Sequence, residues 1–281
     1  MKHLLSLFIT LLTAIIPVSA QFFNPNPQLL DRGVCVDTAK YRVTYRLSFK
    51  YHPDLRDYNS DIRTILIGRN YISDFSDIIS HFDSLRTEDD RKGLDVYSSI
   101  VGSPYPLEII RNIRDKKDDF KYRIHSKVLV YEKPAPQFRW KFTEETDTIA
   151  GYECTKAMTT FAGRNYEAWF ASELPLPFGP YRFGGLPGLI MKIQDSDKQF
   201  TWEAESIEKF TGPIMSYEYE SEQKCTPTEA DRTLKRAFKA PYSFITSDGL
   251  KLMVRGSDGK FHDSSEVEEP EIPFKPLELE K

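Results

Sequence analysis

Along most of this chain apolar residues recur at every second position, in short runs parted by turn-forming residues, which is the pattern of an antiparallel sheet. From Lys40 to Phe49, Tyr41, Val43, Tyr45, Leu47 and Phe49 share one face, and a shorter strand runs from Arg63 to Ile67 and ends at Gly68. Further strands are predicted over Lys121–Tyr131, Phe138–Glu144, Ile149–Phe161, Asn165–Ala171, Leu189–Gln194 and Phe200–Ile207. Their connections are turn-like: Lys133-Pro134-Ala135-Pro136, Thr146-Asp147, Ala162-Gly163-Arg164-Asn165 and Asp195-Ser196-Asp197-Lys198. Gaps this short join antiparallel neighbours, because a parallel partner needs a crossover of about a dozen residues or more. Leu107–Arg114 fits a short helix or a strand.

The period changes to three and four after Ser73, where Phe75, Ile78, Ile79, Phe82 and Leu85 predict an amphipathic helix of about three turns with Ser73 as its cap. Thr87–Lys92 then reads as a charged loop. A second helix begins at Thr226-Pro227-Thr228-Glu229, a capping box with proline in the first turn, and should run to about Lys239 with Ala230, Leu234, Ala237 and Phe238 inward. Ser247-Asp248-Gly249 and Ser257-Asp258-Gly259 suggest a small hairpin. The charged run Arg114–Asp119 reads as a solvated turn. The acidic stretch from Glu266, with Pro270, Pro273 and Pro276, reads as an extended or disordered tail. The fold class expected is mainly β or α+β: a strongly curved antiparallel sheet or half-open barrel carrying two packed helices in residues 21–265, followed by a tail over 266–281.

The first twenty residues change the compartment. Lys2 and His3 precede an apolar run from Leu4 to Val18, and Val18-Ser19-Ala20 before Gln21 is a small-x-small cleavage site, so residues 1–20 read as a secretory signal peptide. No other run is long and apolar enough to span a bilayer. The expectation is an exported protein, periplasmic or outer-membrane associated. With 38 basic against 42 acidic residues and a net charge of −4, no basic excess points to nucleic acid. In an oxidising compartment the cysteines Cys35, Cys154 and Cys225 could form one bridge, with Cys154–Cys225 the candidate pair and one thiol left over.

Catalytic signatures are missing from the sequence. His52, His81, His125 and His262 have no metal-ligand spacing, there is no nucleophile elbow, phosphate loop or dinucleotide fingerprint, and neither a metal nor a cofactor is expected. Carboxylate pairs such as Glu144-Glu145, or Glu153 with Glu167, are what a charged sheet surface supplies. Cys154 as a nucleophile would need a histidine that the sequence cannot place, and its strand-like neighbours favour a structural thiol.

The longest connection, Ser172–Gly188, holds Phe178-Gly179-Pro180-Tyr181-Arg182-Phe183-Gly184-Gly185-Leu186-Pro187-Gly188-Leu189-Ile190. Pro187-Gly188 is the pair a type II turn requires, with positive φ at the glycine, while Gly184 and Gly185 permit a bend or a close backbone approach. Trp169, Phe178, Tyr181, Phe183 and Leu186 could line the mouth of an apolar pocket as candidate ligand-binding residues, or close the end of a barrel core.

These residues resemble the GLPGLI family of exported proteins from Gram-negative envelopes, a family named for this motif and without an established activity. The resemblance rests on the motif together with Ile149-Ala150-Gly151-Tyr152-Glu153-Cys154-Thr155-Lys156-Ala157, Glu167-Ala168-Trp169-Phe170-Ala171, Leu174-Pro175 and Phe178-Gly179-Pro180 in that order. It continues more weakly in Leu66-Ile67-Gly68 and Pro276-Leu277-Glu278-Leu279. No catalytic residues come with it, and its curved sheet around helices is similar in shape to lipoprotein-carrier folds. The leading expectation is a non-enzymatic envelope protein that binds a lipid-like apolar ligand or an envelope or outer-membrane partner. The alternatives are a periplasmic hydrolase and an accessory subunit of an outer-membrane assembly that docks through the tail.

Overall fold

The computed structural model of the chain describes residues 24–94, 99–247, 249–256 and 258–279. The predicted signal peptide lies outside the described residues. Twelve strands form one sheet: β1 (Gly33–Phe49), β2 (Asn59–Ile67), β3 (Tyr71–Ser76), β4 (Leu107–Asn112), β5 (Lys117–Ile124), β6 (Lys127–Pro134), β7 (Lys141–Ile149), β8 (Tyr152–Phe161), β9 (Arg164–Ala171), β10 (Leu189–Asp195), β11 (Phe200–Tyr217) and β12 (Glu222–Lys224). Their order is β12-β6-β5-β4-β3-β2-β1-β11-β10-β9-β8-β7, antiparallel except for the β12–β6 pair. The fold is mainly β, as the alternation predicts, and the sheet does not close into a barrel because β12 and β7 remain its edges.

The sheet nevertheless wraps around its own interior. At about 4.8 Å per strand a flat sheet would hold β5 and β8 roughly 40 Å apart. Instead the Arg182 guanidinium sits 5.2 Å from the Phe120 ring of β5 and 5.8 Å from the Phe161 ring of β8. Register shifts in the long β1–β11 pair, between Cys35 and Asp37, Ala39 and Tyr41, and Thr44 and Tyr45, mark the bulges that let two long strands bend. Val43, Tyr45, Leu47 and Phe49 face inward and are buried, as their alternation requires, and meet Phe183, Trp202 and Phe200 in one large core.

Both long strands overrun β2. Their far ends, Gly33–Ala39 and Gly212–Tyr217, form a ribbon that bends over the outer face of β2 and β3, where Ala39, Ile214 and Leu66 make a second, smaller core. Asp37 pins this ribbon: its Oδ2 accepts from the backbone N–H of Asn70 at 2.7 Å and of Tyr71 at 3.0 Å.

Several expected boundaries move. Helix α1 is Asp77–Arg91, capped by Ser76 and not by Ser73, and it absorbs most of the expected charged loop 87–92. Tyr71–Ser76 instead forms β3, because its backbone pairs with β2 on one side and β4 on the other. The long strand expected over 121–131 is two strands, joined by a tight turn in which His125 adopts φ 51°. Thr146-Asp147 lies inside β7 and is no turn, and the ambiguous 107–114 segment is β4. Helix α2, Pro227–Lys239, begins with the predicted capping box and buries the four predicted residues. Helix α3 (Pro241–Thr246), the hairpin β13 (Met253–Arg255) with β14 (Phe261–Asp263) and a 3-10 turn, Ser264–Glu266, follow.

The expected tail is extended yet engaged. Ile272 and Leu277 are buried, the Lys275 N–H donates to Tyr51 O at 2.7 Å, and the Leu279 N–H donates to Ala162 O at 2.9 Å. The charged run 114–119 is only partly solvated: Asp118 is 1% exposed and bound by Arg182. No Cys154–Cys225 bridge is present. Both are free thiols, Cys154 on β8 with its thiol toward Tyr152 O, and Cys225 after β12 with its thiol toward Val130 O.

Candidate functional site

The connection from Ser172 to Gly188 folds into the interior of the curled sheet, where it acts as a plug. Its two limbs pair with each other: the Gly185 N–H donates to Pro177 O at 3.0 Å, that of Leu189 to Leu174 O at 2.9 Å and that of Ile190 to Phe178 O at 2.9 Å. The Trp140 indole N–H donates to Gly184 O at 2.9 Å.

The glycines work differently from the expected type II turn. Gly185 holds the positive φ, 82°, while Gly188 is outside the left-handed region and the Leu189 N–H goes to Leu174 rather than back across a turn. Gly188 is required by proximity: a Cβ there would lie 2.1 Å from Ala171 O. Gly184 makes the same kind of close approach, with Pro177 O 2.8 Å from a built Cβ. Pro187 is exposed beside them.

The tip of the plug, Tyr181-Arg182-Phe183, ties distant strands together. Tyr181 adopts φ 58°, its N–H donates to Asp74 Oδ2 at 2.6 Å, and its hydroxyl donates to Glu278 Oε1 at 2.5 Å. Asp74 is also held by Arg63, whose guanidinium reaches Asp61 and the carbonyls of Tyr105 and Leu107 as well. Arg182 Nε donates to Asp118 Oδ2 and a terminal nitrogen to Glu278 Oε1, both at 2.7 Å, while its other terminal nitrogen meets Pro134 O. Arg111 donates to Phe183 O at 3.1 Å. Burial alone would raise the Glu278 carboxyl, but Arg182 and Lys133 outweigh it and hold the group below its ordinary range. Burial pushes the Cys154 thiol up to about 11, so it is a poor nucleophile in this position.

The structure splits the candidate mouth residues. Tyr181, Phe183 and Leu186 are buried in the core, and Phe183 packs on Tyr166 with ring centroids 4.7 Å apart. Phe178 is half-buried in the plug's outer limb. Trp169 lies on the opposite face of β9 from Tyr166, half-buried between the ammonium groups of Lys156 and Lys192, at 5.5 and 5.8 Å. The acid pairs read as sheet surface behave so: Glu145 and Glu167 both meet Lys156.

What sequence reading missed is the set Arg63, Asp74, Arg111, Asp118, Arg182 and Glu278. One signal was there, since Arg182 stands between two aromatic residues in an otherwise uncharged run, where a solvated cation is out of place.

Away from the plug, a cavity of about 160 Å³ lies between the β1–β11 ribbon, α1 and the outer face of β3–β5. Leu66, Phe75, Ile110, Pro213, Met215 and Tyr217 give it an apolar lining. Polar groups stand at defined places. Asp83 and Glu108 are bound by Arg123, Lys121 is held by Tyr217 O and Glu222, and Asp119 is half-exposed. Ser73 also lies on this wall, and its buried hydroxyl has no hydrogen-bond partner in the protein.

A family profile described as the N-glycanase peptide, N-terminal domain, matches residues 130–228, from within β6 to the start of α2. No curated protein matches the chain. Among solved structures, PNGF-II in space groups P21 and C2 is similar, with TM-scores of 0.43 and 0.45 and 17% sequence identity. Each alignment covers 78% of this chain and 35% of the other, so this chain spans about a third of the length of those proteins.

Proposed function

We propose that this chain is an exported, non-enzymatic envelope protein that takes a small apolar ligand in the cavity between the β1–β11 ribbon, α1 and β3–β5. The observation that carries this reading is that cavity itself, about 160 Å³ with a mostly apolar lining. Apolar walls around a few placed polar groups are the usual make-up of a small-molecule site. The aromatic corner supports it indirectly, because Tyr181, Phe183 and Leu186 are already used by the core. So does the tail, whose Glu278 is engaged inside the fold and is not available to dock elsewhere.

The test uses the chain without residues 1–20. Benzene, toluene and cyclohexane, each near its solubility limit, should raise the Tm, since a ligand that binds the folded state stabilises it by mass action. Met215→Trp, which fills the cavity from a half-buried position, should remove that rise. If none of the three raises Tm, the reading fails. The match of residues 130–228 to an N-terminal domain of an N-glycanase favours a second reading, a module that acts on glycopeptides. Glycan released from an N-glycosylated peptide by the purified chain would establish that reading and overturn the non-enzymatic one.

A further inference from the structure

We propose that the cavity's ligand is a single six-membered ring bearing one uncharged hydroxyl, a phenol-like molecule. Its ring would lie among Leu66, Phe75, Ile110 and Met215 and its hydroxyl on Ser73. The proposal rests on the reading of this cavity as the binding place and adds the chemical class of the occupant.

Size comes first. A cavity of about 150 Å³ lined by aliphatic and aromatic side chains holds benzene, and this one is about 160 Å³. One ring matches such a volume.

The hydroxyl follows from Ser73. Its neighbours Ile72 and Asp74 face the interior, where Ile72 is fully buried and Asp74 accepts from the Tyr181 N–H, so alternation turns Ser73 to the outer face and the cavity. Ser73 is 5% exposed and its Oγ has no partner in the protein. A buried hydroxyl left unpaired costs free energy that a ligand hydroxyl would recover, since each can donate to or accept from the other.

The charge follows from the remaining wall. Asp83, Glu108 and Asp119 bring carboxylates to the lining, and the Lys121 ammonium is already engaged by Glu222. Burial, with Glu132 alongside, holds the Asp119 carboxyl above its usual range, the direction that a wall already rich in carboxylates produces. An anionic ring would meet these groups, and among the described residues that line the wall the one cation, Lys121, is already paired with Glu222.

Isothermal titration of the chain without residues 1–20 with benzene, phenol and benzoate tests this, in the parent protein and in Ser73→Ala and Met215→Trp. Phenol should bind about threefold to tenfold tighter than benzene, the range one net hydrogen bond supplies. Benzoate should bind more weakly than either. Ser73→Ala should bring phenol within about twofold of benzene while leaving benzene affinity unchanged, and Met215→Trp should abolish both. If benzene binds and Met215→Trp blocks it, but phenol's advantage survives in Ser73→Ala or benzoate binds best, the ligand class is wrong and the binding site stands. If neither ring binds, or Met215→Trp leaves binding intact, the cavity is not the binding place and both readings fall.

Discussion

Gly185 and Gly188 stand three residues apart in one motif and are glycines for different reasons. Gly185 uses the conformational freedom, with φ 82° and only the Trp140 indole nitrogen near a built Cβ, at 3.8 Å. Gly188 uses the missing side chain, because a built Cβ would stand 2.1 Å from Ala171 O, on a backbone that β9–β10 pairing holds in place. Gly185→Ala should therefore cost about 1 kcal/mol, the ordinary penalty for a left-handed residue. Gly188→Ala should cost about 3 kcal/mol or more, because a steric clash with backbone must be relieved by moving a strand. Urea unfolding of the two variants checks the order, and a Gly188→Ala protein as stable as Gly185→Ala would contradict it.

At the scale of elements, the plug from Ser172 to Gly188 matters more than its length suggests. Its Arg182 lies between the Phe120 ring of β5 and the Phe161 ring of β8 and binds carboxylates from β5 and the tail. Removing one member of a buried ion pair strands the other, at about 3–5 kcal/mol. Asp118 keeps Arg111 at 3.9 Å and Glu278 keeps Lys133 at 2.7 Å, so Arg182→Ala should fall near the lower end, about 3 kcal/mol in urea unfolding. What could be read in the sequence at this scale was whatever local signals decide. The α2 capping box is set by Thr226 and Glu229, three residues apart, and it was legible. Ser73 and Ser76 are equally good caps by local chemistry, and the choice of Ser76 was made by pairing of Tyr71–Ser76 with β2 and β4, which no local pattern announces. Arg182 escaped for the same reason, because its partners lie 64 and 96 residues away. The cavity escaped too, since Ser73 and Tyr217 come to line one space only where the β1–β11 ribbon bends over β3.

For the molecule as a whole, the segment from Ile272 to Leu279 fastens the open side of the curled sheet. Arg164 donates to the carbonyls of Leu277 and Pro276, and Glu278 gathers Arg182, Lys133 and Tyr181. Glu278 titrates below its ordinary value of 4.5 in the folded protein, so the stability it contributes is present above that value and is lost as pH falls through the lowered one. Acidification below pH of about 4.5 should lower Tm, and Glu278→Gln should flatten that part of the Tm profile while leaving Tm nearly independent of pH between roughly 6 and 8. An unchanged acid limb in Glu278→Gln would show that other carboxylates carry it.

The fastening has a consequence for the order in which the protein can fold. Lys133 and Glu278 are 145 residues apart, and so are Tyr45 and Ile190, whose hydroxyl–carbonyl bond anchors the strand leaving the plug. Loops of that length are slow to close. Local hairpins such as β5–β6 and β8–β9 can form early, yet none of them completes the interior. Residues 272–279 supply contacts that join Lys133 of β6 to Arg164 of β9 across the open side. The cavity on the outer face is lined by residues of the ribbon, α1 and β2–β5 and by none of residues 272–279. The cavity and the final closure thus draw on separate parts of the chain.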